Sequence, residues 1–411
     1  MPLSSLTTPG IYVQEVPGGP RLIQAVPTST AAFVGLAPLK DAFVNIPQAV
    51  NNWSQFLQKF APEEGPESTP LSMGVYGFFE NGGSRCFVVN TGPGPSIQKG
   101  LDALRTYDEV AIVAAPGRHD PASHQAIVTH CEREKDRVAI LDSPEEVDDI
   151  TMLTEVATVP LPDDGDEDGG KSGGGSGGSG GGKASKASEE PSPDAVGPPR
   201  SAYATFYFPW ITVMDPLSDA LVNVAPSGHV AGIWARTDTT RGVHKAPANE
   251  PVNGALNLTY RLTREEQGVL NQAGVNAIRL FAREGIRVWG ARTVSNDTEW
   301  IYVSVRRLFC MIGESIAEGT NWIVFEPNDR TLWKHVRRDI GAFLTRVWRD
   351  GALMGATPEE AFYVKCDEET NPPDVVGAGQ LVAQIGIAPV KPAEFIVFQI
   401  SQSTAGAEIT G

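Results

Sequence analysis

Short apolar runs alternate with helical stretches over the first third of the chain, and this alternation limits the fold more than any other feature. The runs lie at 31–37, 86–90, 110–116 and 137–142, and a helix is predicted over 121–136. The runs are rich in Val, Ile and Ala, as is typical of strands buried on both faces. Strands that alternate with helices usually form a parallel sheet covered by helices. The sequence therefore predicts a mixed α/β fold that contains a layered α/β domain.

The chain from residue 203 onwards is predicted to mix strands and helices. A helix over 263–272 begins with a capping box formed by Thr263 and Glu266. The strongest helix covers 329–349, where apolar side chains recur at helical spacing on one face; they are Trp333, Val336, Ile340, Phe343, Leu344, Val347 and Trp348. Strands are predicted at 203–210, 277–281, 288–291, 299–304, 361–366, 379–388 and 394–401.

Residues 160–200 interrupt the α/β pattern. They are rich in Pro, Gly, Ser and acidic residues, and 172–182 contain only Gly and Ser. Such a segment buries too little apolar surface to offset its ordering entropy. It is therefore predicted to be a flexible surface loop.

Charge and cysteine content restrict the class of protein. The net charge of −17 argues against nucleic acid as a partner, because phosphate binding requires a basic surface. The four cysteines are predicted to be buried free thiols in a reducing compartment; they are Cys86, Cys131, Cys310 and Cys366. No apolar run reaches the ~18–20 residues of a membrane span, and the N-terminus lacks the pattern of a signal peptide. We expect a chain that folds in the cytoplasm and has no direct membrane insertion.

Motifs of catalysis and cofactor binding give weak signals. Residues 165–172 fit the letters of a phosphate-binding loop, but three carboxylates stand where phosphate would bind, and no strand precedes them. His119, His124, His130 and Cys131 lack the i,i+4 spacing of helical metal ligands. Neither a nucleophile elbow nor a dinucleotide fingerprint is present. The sequence predicts no enzyme activity and no catalytic, cofactor or metal residues.

Both chain ends have the composition of strands. Residues 8–16 contain Ile11, Tyr12, Val13 and Val16, and residues 391–400 contain Phe395, Ile396, Val397, Phe398 and Ile400. A donated strand loses ~1–2 kcal/mol of backbone entropy per residue, whereas each large apolar side chain that it buries returns ~1.5–3 kcal/mol. Donation to a neighbouring molecule is therefore feasible. The pattern alone favours burial within the same chain.

A basic stripe on the predicted helix 329–349 also has two explanations. Lys334, Arg337 and Arg338 lie away from its apolar face in a chain that is acidic overall. The stripe is either a solvated helix face or a docking surface for an acidic partner.

Several motifs, in order along the chain, resemble the tail sheath proteins of contractile phages and related contractile injection systems. The first is Pro-Gly-Ile-Tyr-Val-Gln-Glu-Val at 9–16, and the central one is Pro-Ser-Gly-His-Val-Ala-Gly-Ile-Trp-Ala-Arg-Thr-Asp at 226–238. The likeness continues through 241–249, 325–329 and 362–367, and it covers nearly the whole chain outside 160–200.

The resemblance implies a multi-domain structural subunit that forms a homo-oligomer of stacked hexameric rings or a helix around an inner tube protein. Baseplate and terminal cap proteins would be further partners, and no nucleic acid is expected. The particle would assemble in the bacterial cytoplasm. The predicted segments are an N-terminal arm (1–20), an outer α/β domain (21–159 and 201–255) with the surface insertion (160–200), a core domain (256–390) and a C-terminal arm (391–411).

The resemblance also implies roles for particular residues. The terminal strands would join core sheets of neighbouring subunits, and the residues that receive them would be Phe362, Val364, Leu381, Val382, Ile385 and Ile387. Lys334, Arg337 and Arg338 would contact the inner tube. The alternative functions are a soluble α/β enzyme or nucleotide-binding protein and, among structural proteins, an inner tube or capsid subunit, which the chain length disfavours.

Overall fold

The computed structural model describes residues 22–63, 65–158 and 195–397. The predicted N-terminal strand, most of the 160–200 insertion and the residues after 397 lie outside this part. Its strands are β1 Ala31–Gly35, β2 Gln48–Val50, β3 Cys86–Asn90, β4 Ile112–Ala114, β5 Val138–Asp142, β6 Ala204–Phe208, β7 Ile211–Met214, β8 Leu221–Val224, β9 Glu250–Pro251, β10 Asn257–Leu258, β11 Val275–Phe281, β12 Gly285–Val288, β13 Phe362–Lys365 and β14 Gln384–Ile387.

The helices of the described part alternate with these strands up to β12, and from Val303 onwards most of the regular structure is helical. They are α1 Trp53–Phe60, α2 Pro70–Glu80, α3 Gln98–Ala103, α4 Pro121–Glu134, α5 Ser227–Arg241, α6 Arg264–Gln272, α7 Val303–Thr320, α8 Arg330–Arg349, α9 Pro358–Ala361 and α10 Pro373–Gly377. The predicted capping box is present at the start of α6, and Asp329 caps α8. We call residues 31–302 the sheet body and residues 303–390 the helical body.

The sheet body contains a mainly parallel sheet. Within the described residues its strand order is β2-β3-β1-β4-β5-β6-β11-β12-β9. The six strands from β3 to β11 run parallel, and β2, β12 and β9 add antiparallel edges. Parallel strands require covered faces, and both faces are covered here. One apolar cluster joins α2 and α5 to the sheet, and the other joins α3, α4 and α6 to the opposite face. The predicted mixed α/β fold is confirmed.

Helices α2 and α5 pack in direct backbone contact. A Cβ on Gly228 would lie 2.2 Å from the Gly74 carbonyl oxygen, and one on Gly232 would lie 2.4 Å from the Phe78 carbonyl oxygen. A Cβ on Gly77 would lie 2.2 Å from His229 Nδ1. The glycines of the 226–238 motif therefore allow an approach that any side chain would prevent.

Both edges of the large sheet are closed to further strands. Lys59 Nζ donates to the Ala49 carbonyl oxygen of β2 at 3.0 Å. At the other edge, β9 has two residues, and one of them is Pro251. Short strands, proline and lysine are the usual means by which proteins prevent edge-to-edge pairing. The large sheet is consequently a poor acceptor for a strand from another molecule.

The helical body packs α7 and α8 around a third apolar cluster. The predicted apolar face of α8 is buried there, from Trp333 to Val347, with Trp348 packed at its margin. Residues 22–28 cross this body before β1 begins. Ile23 is 1% exposed, Val26 N donates to Ser315 Oγ at 3.0 Å, and the Arg346 guanidinium donates to the Ile23 carbonyl.

Three strand predictions in this region are wrong in whole or in part. Residues 299–304 form no strand: Tyr302 makes an isolated bridge with Arg292, and α7 begins at Val303. Ile301, Val303 and Val305 alternate as in a strand. From Val303 onwards, however, these residues belong to helix α7, so the short alternation was misleading. The predicted strand at 288–291 ends at Val288, and that at 379–388 shortens to β14.

The end of the predicted flexible insertion is ordered. Residues 195–200 pack against 152–157: Val196 N donates to the Met152 carbonyl at 3.0 Å, and Arg200 donates to the Thr154 carbonyl at 2.8 Å. Composition does not reveal these backbone contacts, so the flexible prediction is wrong for 195–200. The predicted segment boundary at 255/256 falls between β6 and β11 in the chain. These two strands pair in the large sheet, so the boundary divides that sheet.

We predict that Gly228→Ala destabilises the protein by about 3 kcal/mol or more, because its Cβ must displace the backbone of α2. Urea unfolding gives the change in the free energy of unfolding. The matched control is Gly268→Ala in α6, where a Cβ meets nothing within 4 Å. This control should gain ~0.5–1 kcal/mol. Equal effects of the two substitutions would contradict the close packing of α2 and α5.

Candidate assembly interface

Strands β13 and β14 form a separate two-stranded antiparallel sheet on the helical body. Phe362 pairs with Ile387, and Val364 pairs with Ile385. These four side chains face the apolar cluster of α8, and Tyr363, which is 53% exposed, lies on the other face. The structure thus brings together four of the six predicted receiving residues. We call this unit the edge sheet.

Both edges of the edge sheet have free backbone groups. Ala388 N donates to the Ala361 carbonyl at 2.8 Å, which makes this pair a hydrogen-bonded one. Hydrogen-bonded and non-hydrogen-bonded pairs alternate along an antiparallel ladder. Val364 on β13, and Ile385 and Ile387 on β14, therefore direct their N–H and C=O groups away from the partner strand. Among the described residues these groups have no hydrogen-bond partner. Such an edge is a template for an added strand.

The other two predicted receiving residues, Leu381 and Val382, lie outside the strands. The Asn371 side chain holds this segment: its Oδ1 accepts from Val382 N at 2.7 Å, and its Nδ2 donates to the Val382 carbonyl at 2.9 Å. A side chain has replaced a strand as the hydrogen-bond partner, so the placement of these two residues in the sheet is wrong. Leu381 still packs against the helical body.

The predicted C-terminal arm begins in the described part and continues beyond it. Phe395, Ile396 and Val397 are 75%, 72% and 82% exposed and belong to no strand of this single chain. Phe398 and Ile400 lie outside the described residues. So do Ile11, Tyr12, Val13 and Val16 of the N-terminal arm. These three described side chains nevertheless expose apolar surface, and they follow the edge sheet along the chain.

The predicted tube-facing residues lie together on the outer side of α8. Lys334, Arg337 and Arg338 are exposed, whereas Val336 between them is buried. Arg338 Nε also donates to Asp339 Oδ1 at 2.9 Å, and Asp339 is only 2% exposed. Arg338 thus neutralises a buried carboxylate in addition to facing solvent. Contact of these residues with an inner tube stays a prediction.

A buried ion pair connects the sheet body to the helical body. Arg307 of α7 donates to both carboxylate oxygens of Asp238 on α5, at 2.9 and 2.5 Å, and their side chains are 3% and 4% exposed. Thr28 contributes twice: its hydroxyl donates to Asp238 at 2.6 Å, and its carbonyl accepts from Arg307 at 2.9 Å. The guanidinium carbon also lies 4.6 Å from the centre of the Trp234 ring, within the range of a cation–π contact. We call this cluster the latch.

Asp142 is a buried carboxylate of the sheet body with a structural role. Asp142 accepts from Ser227 N at 2.9 Å and Ser227 Oγ at 2.6 Å, and so caps α5. Burial raises the pKa of Asp142 to about 6. Burial also lowers the pKa of His124 and of His130 to about 4, so both rings are neutral near pH 7.

All four cysteines are buried free thiols, as predicted. The described residues contain no group of three or more potential metal ligands. The phosphate-loop match at 165–172 lies outside them. Within the described chain, no helix is long and apolar enough to cross a membrane.

Two family models match adjacent parts of the chain. Residues 199–294 match the phage tail sheath protein central domain, and residues 295–403 match the phage tail sheath C-terminal domain. The chain belongs to the contractile tail sheath family. The central model contains α5 and the sheet edge, whereas the C-terminal model contains α7, α8 and the edge sheet.

Curated relatives match over part of their length. The chain is 28% identical over 184 residues to the tail sheath protein of Salmonella phage ViI, which covers 44% of this chain and 28% of that protein. It is 27% identical over 195 residues to the tail sheath protein of Escherichia phage P2. This alignment covers 46% of this chain and 47% of that protein. The aligned region therefore spans less than half of either relative.

Solved structures match almost the whole chain. The sheath complex of the PVC extracellular contractile injection system, in its contracted state, has a TM-score of 0.75 at 26% identity and covers 97% of this chain and 98% of that one. The contracted helical sheath of the anti-feeding prophage has a TM-score of 0.71 at 27% identity. The match covers 97% of this chain and 100% of that one. These similar proteins are components of contractile assemblies.

The sequence patterns do not indicate the residues of the latch. Asp238 lies in the quoted family motif, but the motif assigns it no partner. Arg307 is one of two adjacent arginines, followed by apolar residues typical of a buried helix. A charge inside such a pattern is a signal for a buried ion pair. The partner remained hidden because 69 residues separate the two.

We predict that Asp238→Asn lowers the free energy of unfolding by ~3–5 kcal/mol, because it leaves the Arg307 charge buried without its full partner. The matched control is Glu109→Gln, which breaks the Arg85–Glu109 pair whose side chains are 40% and 41% exposed. That control should cost less than ~1 kcal/mol. Urea unfolding compares the two. Losses of equal size would show that the latch is no stronger than a surface pair.

Proposed function

We propose that the chain is the subunit of a contractile sheath that polymerises around an inner tube and shortens to drive the tube through a target envelope. Similarity to two contracted sheath structures over 97% of the chain carries the proposal. The open edges of the edge sheet support it independently, because they offer places where one subunit can bind a strand of the next. The assembly is a stacked hexameric or helical homo-oligomer that ends on a baseplate and a terminal cap. It forms in the bacterial cytoplasm as part of a phage tail or an injection particle.

Strand exchange links neighbouring subunits in this proposal. The C-terminal arm adds to the edge sheet of a neighbour, and the N-terminal arm adds a further strand. A strand of seven residues loses ~7–14 kcal/mol of backbone entropy, and ladder hydrogen bonds return ~1 kcal/mol each. Burial of Phe395, Ile396 and Val397 supplies ~1.5–3 kcal/mol each, so apolar contacts decide whether the arm stays bound.

The sheath is proposed to work without nucleotide hydrolysis. Free energy is stored in an extended polymer and released when subunits form new contacts with each other. The relatives are structural proteins, which supports a non-enzymatic role. The basic face of α8 binds the tube in the extended state, where Lys334 and Arg337 meet acidic groups.

We predict that a chain ending at Glu394 folds normally but forms no full-length sheaths, because it lacks the apolar strand that binds the neighbour. Thermal unfolding checks the subunit, and electron microscopy checks the polymer. The matched control removes residues 402–411 and keeps the predicted strand at 394–401. This control should polymerise like the full chain. Normal sheaths from the shorter chain would contradict strand exchange by the C-terminal arm.

We predict that the triple variant Lys334→Glu, Arg337→Glu and Arg338→Gln fails to assemble on preformed tubes, because it removes the positive charge of the proposed contact. Glutamine is used at 338 because a second carboxylate beside Asp339 would destabilise α8. Co-sedimentation with tubes measures binding.

A control for tube binding changes the net charge by the same amount at exposed sites elsewhere. It combines Lys40→Glu, Lys99→Glu and Arg283→Gln. The control should sediment with tubes as the unmodified chain does. Equal binding by both triple variants would place the tube contact elsewhere.

A further inference from the structure

The first residues of the C-terminal arm are attached to the sheet body through one carboxylate. Glu394 Oε1 accepts from Arg292 Nε at 2.9 Å and from Asn271 Nδ2 at 2.8 Å. Its Oε2 accepts from Arg292 Nη2 at 2.5 Å and from Tyr302 Oη at 3.3 Å. Two-pronged binding of a carboxylate by arginine is among the stronger polar contacts in proteins. We call Arg292, Asn271 and Tyr302 the carboxylate socket.

The socket is built independently of Glu394. Arg292 Nη1 donates to the Asn271 carbonyl at 3.0 Å. The fully buried Asn276 side chain accepts from Arg292 N and donates to the Arg292 carbonyl, both at 2.7 Å. Arg292 also forms a β-bridge with Tyr302. The sheet body therefore fixes the guanidinium independently of the arm. Binding of Glu394 then costs little additional side-chain entropy at Arg292.

The chain between the helical body and the socket is attached at its two ends. Val390 N donates to the Ala352 carbonyl at 3.1 Å, and Glu394 occupies the socket. Between these points the segment spans a groove of about 540 Å³, whose walls include His244, Ala248 and Trp289. The segment thus crosses from one body to the other as a strap.

The character of the chain changes directly after Glu394. The next three side chains, Phe395, Ile396 and Val397, are apolar and at least 72% exposed. Although burial opposes it, hydrogen bonds from Arg292 and Asn271 hold the pKa of Glu394 below its usual range. The carboxylate is therefore ionised near pH 7, the form that the arginine binds.

We propose that the carboxylate socket anchors the C-terminal arm to its own subunit at Glu394, and so fixes the point from which the arm reaches a neighbour. This inference rests on the proposed sheath function. An extended chain covers at most ~3.4 Å per residue, so residues 395–401 reach ~24 Å from the anchor. Without the anchor, the last fixed point is Val390, and the reach grows to ~37 Å. The socket thereby limits which edge sheet an arm can join.

A spin label at Ala393→Cys tests the anchor in the soluble full-length subunit. Ala393 is exposed, whereas the four native cysteines are buried. We expect an immobilised label in the unmodified chain and an increase of about tenfold in the mobile fraction with Glu394→Gln, because the amide places a donor against the socket donors. Tyr302→Phe removes one donor and should give a smaller increase. The control Glu109→Gln should change nothing. Equal label mobility in all variants would overturn the anchor.

Charge exchange in the assembled sheath identifies the subunit that supplies Glu394. Arg292→Glu and Glu394→Arg should each release the label, and the two changes in one chain should immobilise it again. A mixture of the two single variants should remain mobile, because each chain lacks its own matched pair. Recovery in the mixture would show that the socket takes Glu394 of a neighbour and would overturn the proposal. If the unmodified chain forms no polymer, the proposed function fails, while the soluble-subunit result still decides whether the anchor exists.

Discussion

The ion pair between Arg307 and Asp238 is the contact on which the arrangement of the chain depends. It joins α5 of the sheet body, α7 of the helical body and the segment that carries Thr28. Removing two charges from water is expensive, and only bidentate geometry with additional partners offsets the cost. The latch has both, and Trp234 covers it. Because α2 and α5 are in backbone contact, any shift of Asp238 would disturb the core of the large sheet. The two bodies are therefore best treated as one rigid unit.

Local patterns predicted local structure well. The buried strands β1, β3, β4 and β5 and the helix α8 were identified because their periodicity depends on neighbouring residues alone. Helix α7 was not predicted, because Ile301, Val303 and Val305 around its start also fit a strand. Long-range pairing was inaccessible: neither the 69-residue separation of the latch nor the 102-residue separation of Arg292 from Glu394 leaves a periodic trace. Four of the six predicted receiving residues lie in the edge sheet, whereas Leu381 and Val382 do not, since the Asn371 side chain replaces strand pairing there.

The large sheet and the edge sheet differ in how their edges are protected, and this difference favours strand addition at the edge sheet. At the edges of the large sheet, Lys59 of α1 donates to β2 and Pro251 lies in β9, and both disfavour strand addition. The edge sheet instead presents free groups at Val364, Ile385 and Ile387. A chain with open edges everywhere would aggregate without order. In the proposed sheath, strand addition at the edge sheet is repeated from subunit to subunit, and repetition of that contact produces a regular polymer.

In the proposed sheath, rigidity and tethering together determine where contraction energy resides. If the latch holds the bodies fixed, little energy can be stored by deforming a subunit, because close-packed interiors resist small changes. The stored energy must then lie in contacts between subunits. The proposed carboxylate anchor near the start of the C-terminal arm has a related consequence, since it limits the tether between neighbours to the residues after Glu394. Neighbours joined by short tethers can rotate and slide against each other without separating. Contraction then becomes an exchange of surface contacts between rigid units whose connectivity is preserved.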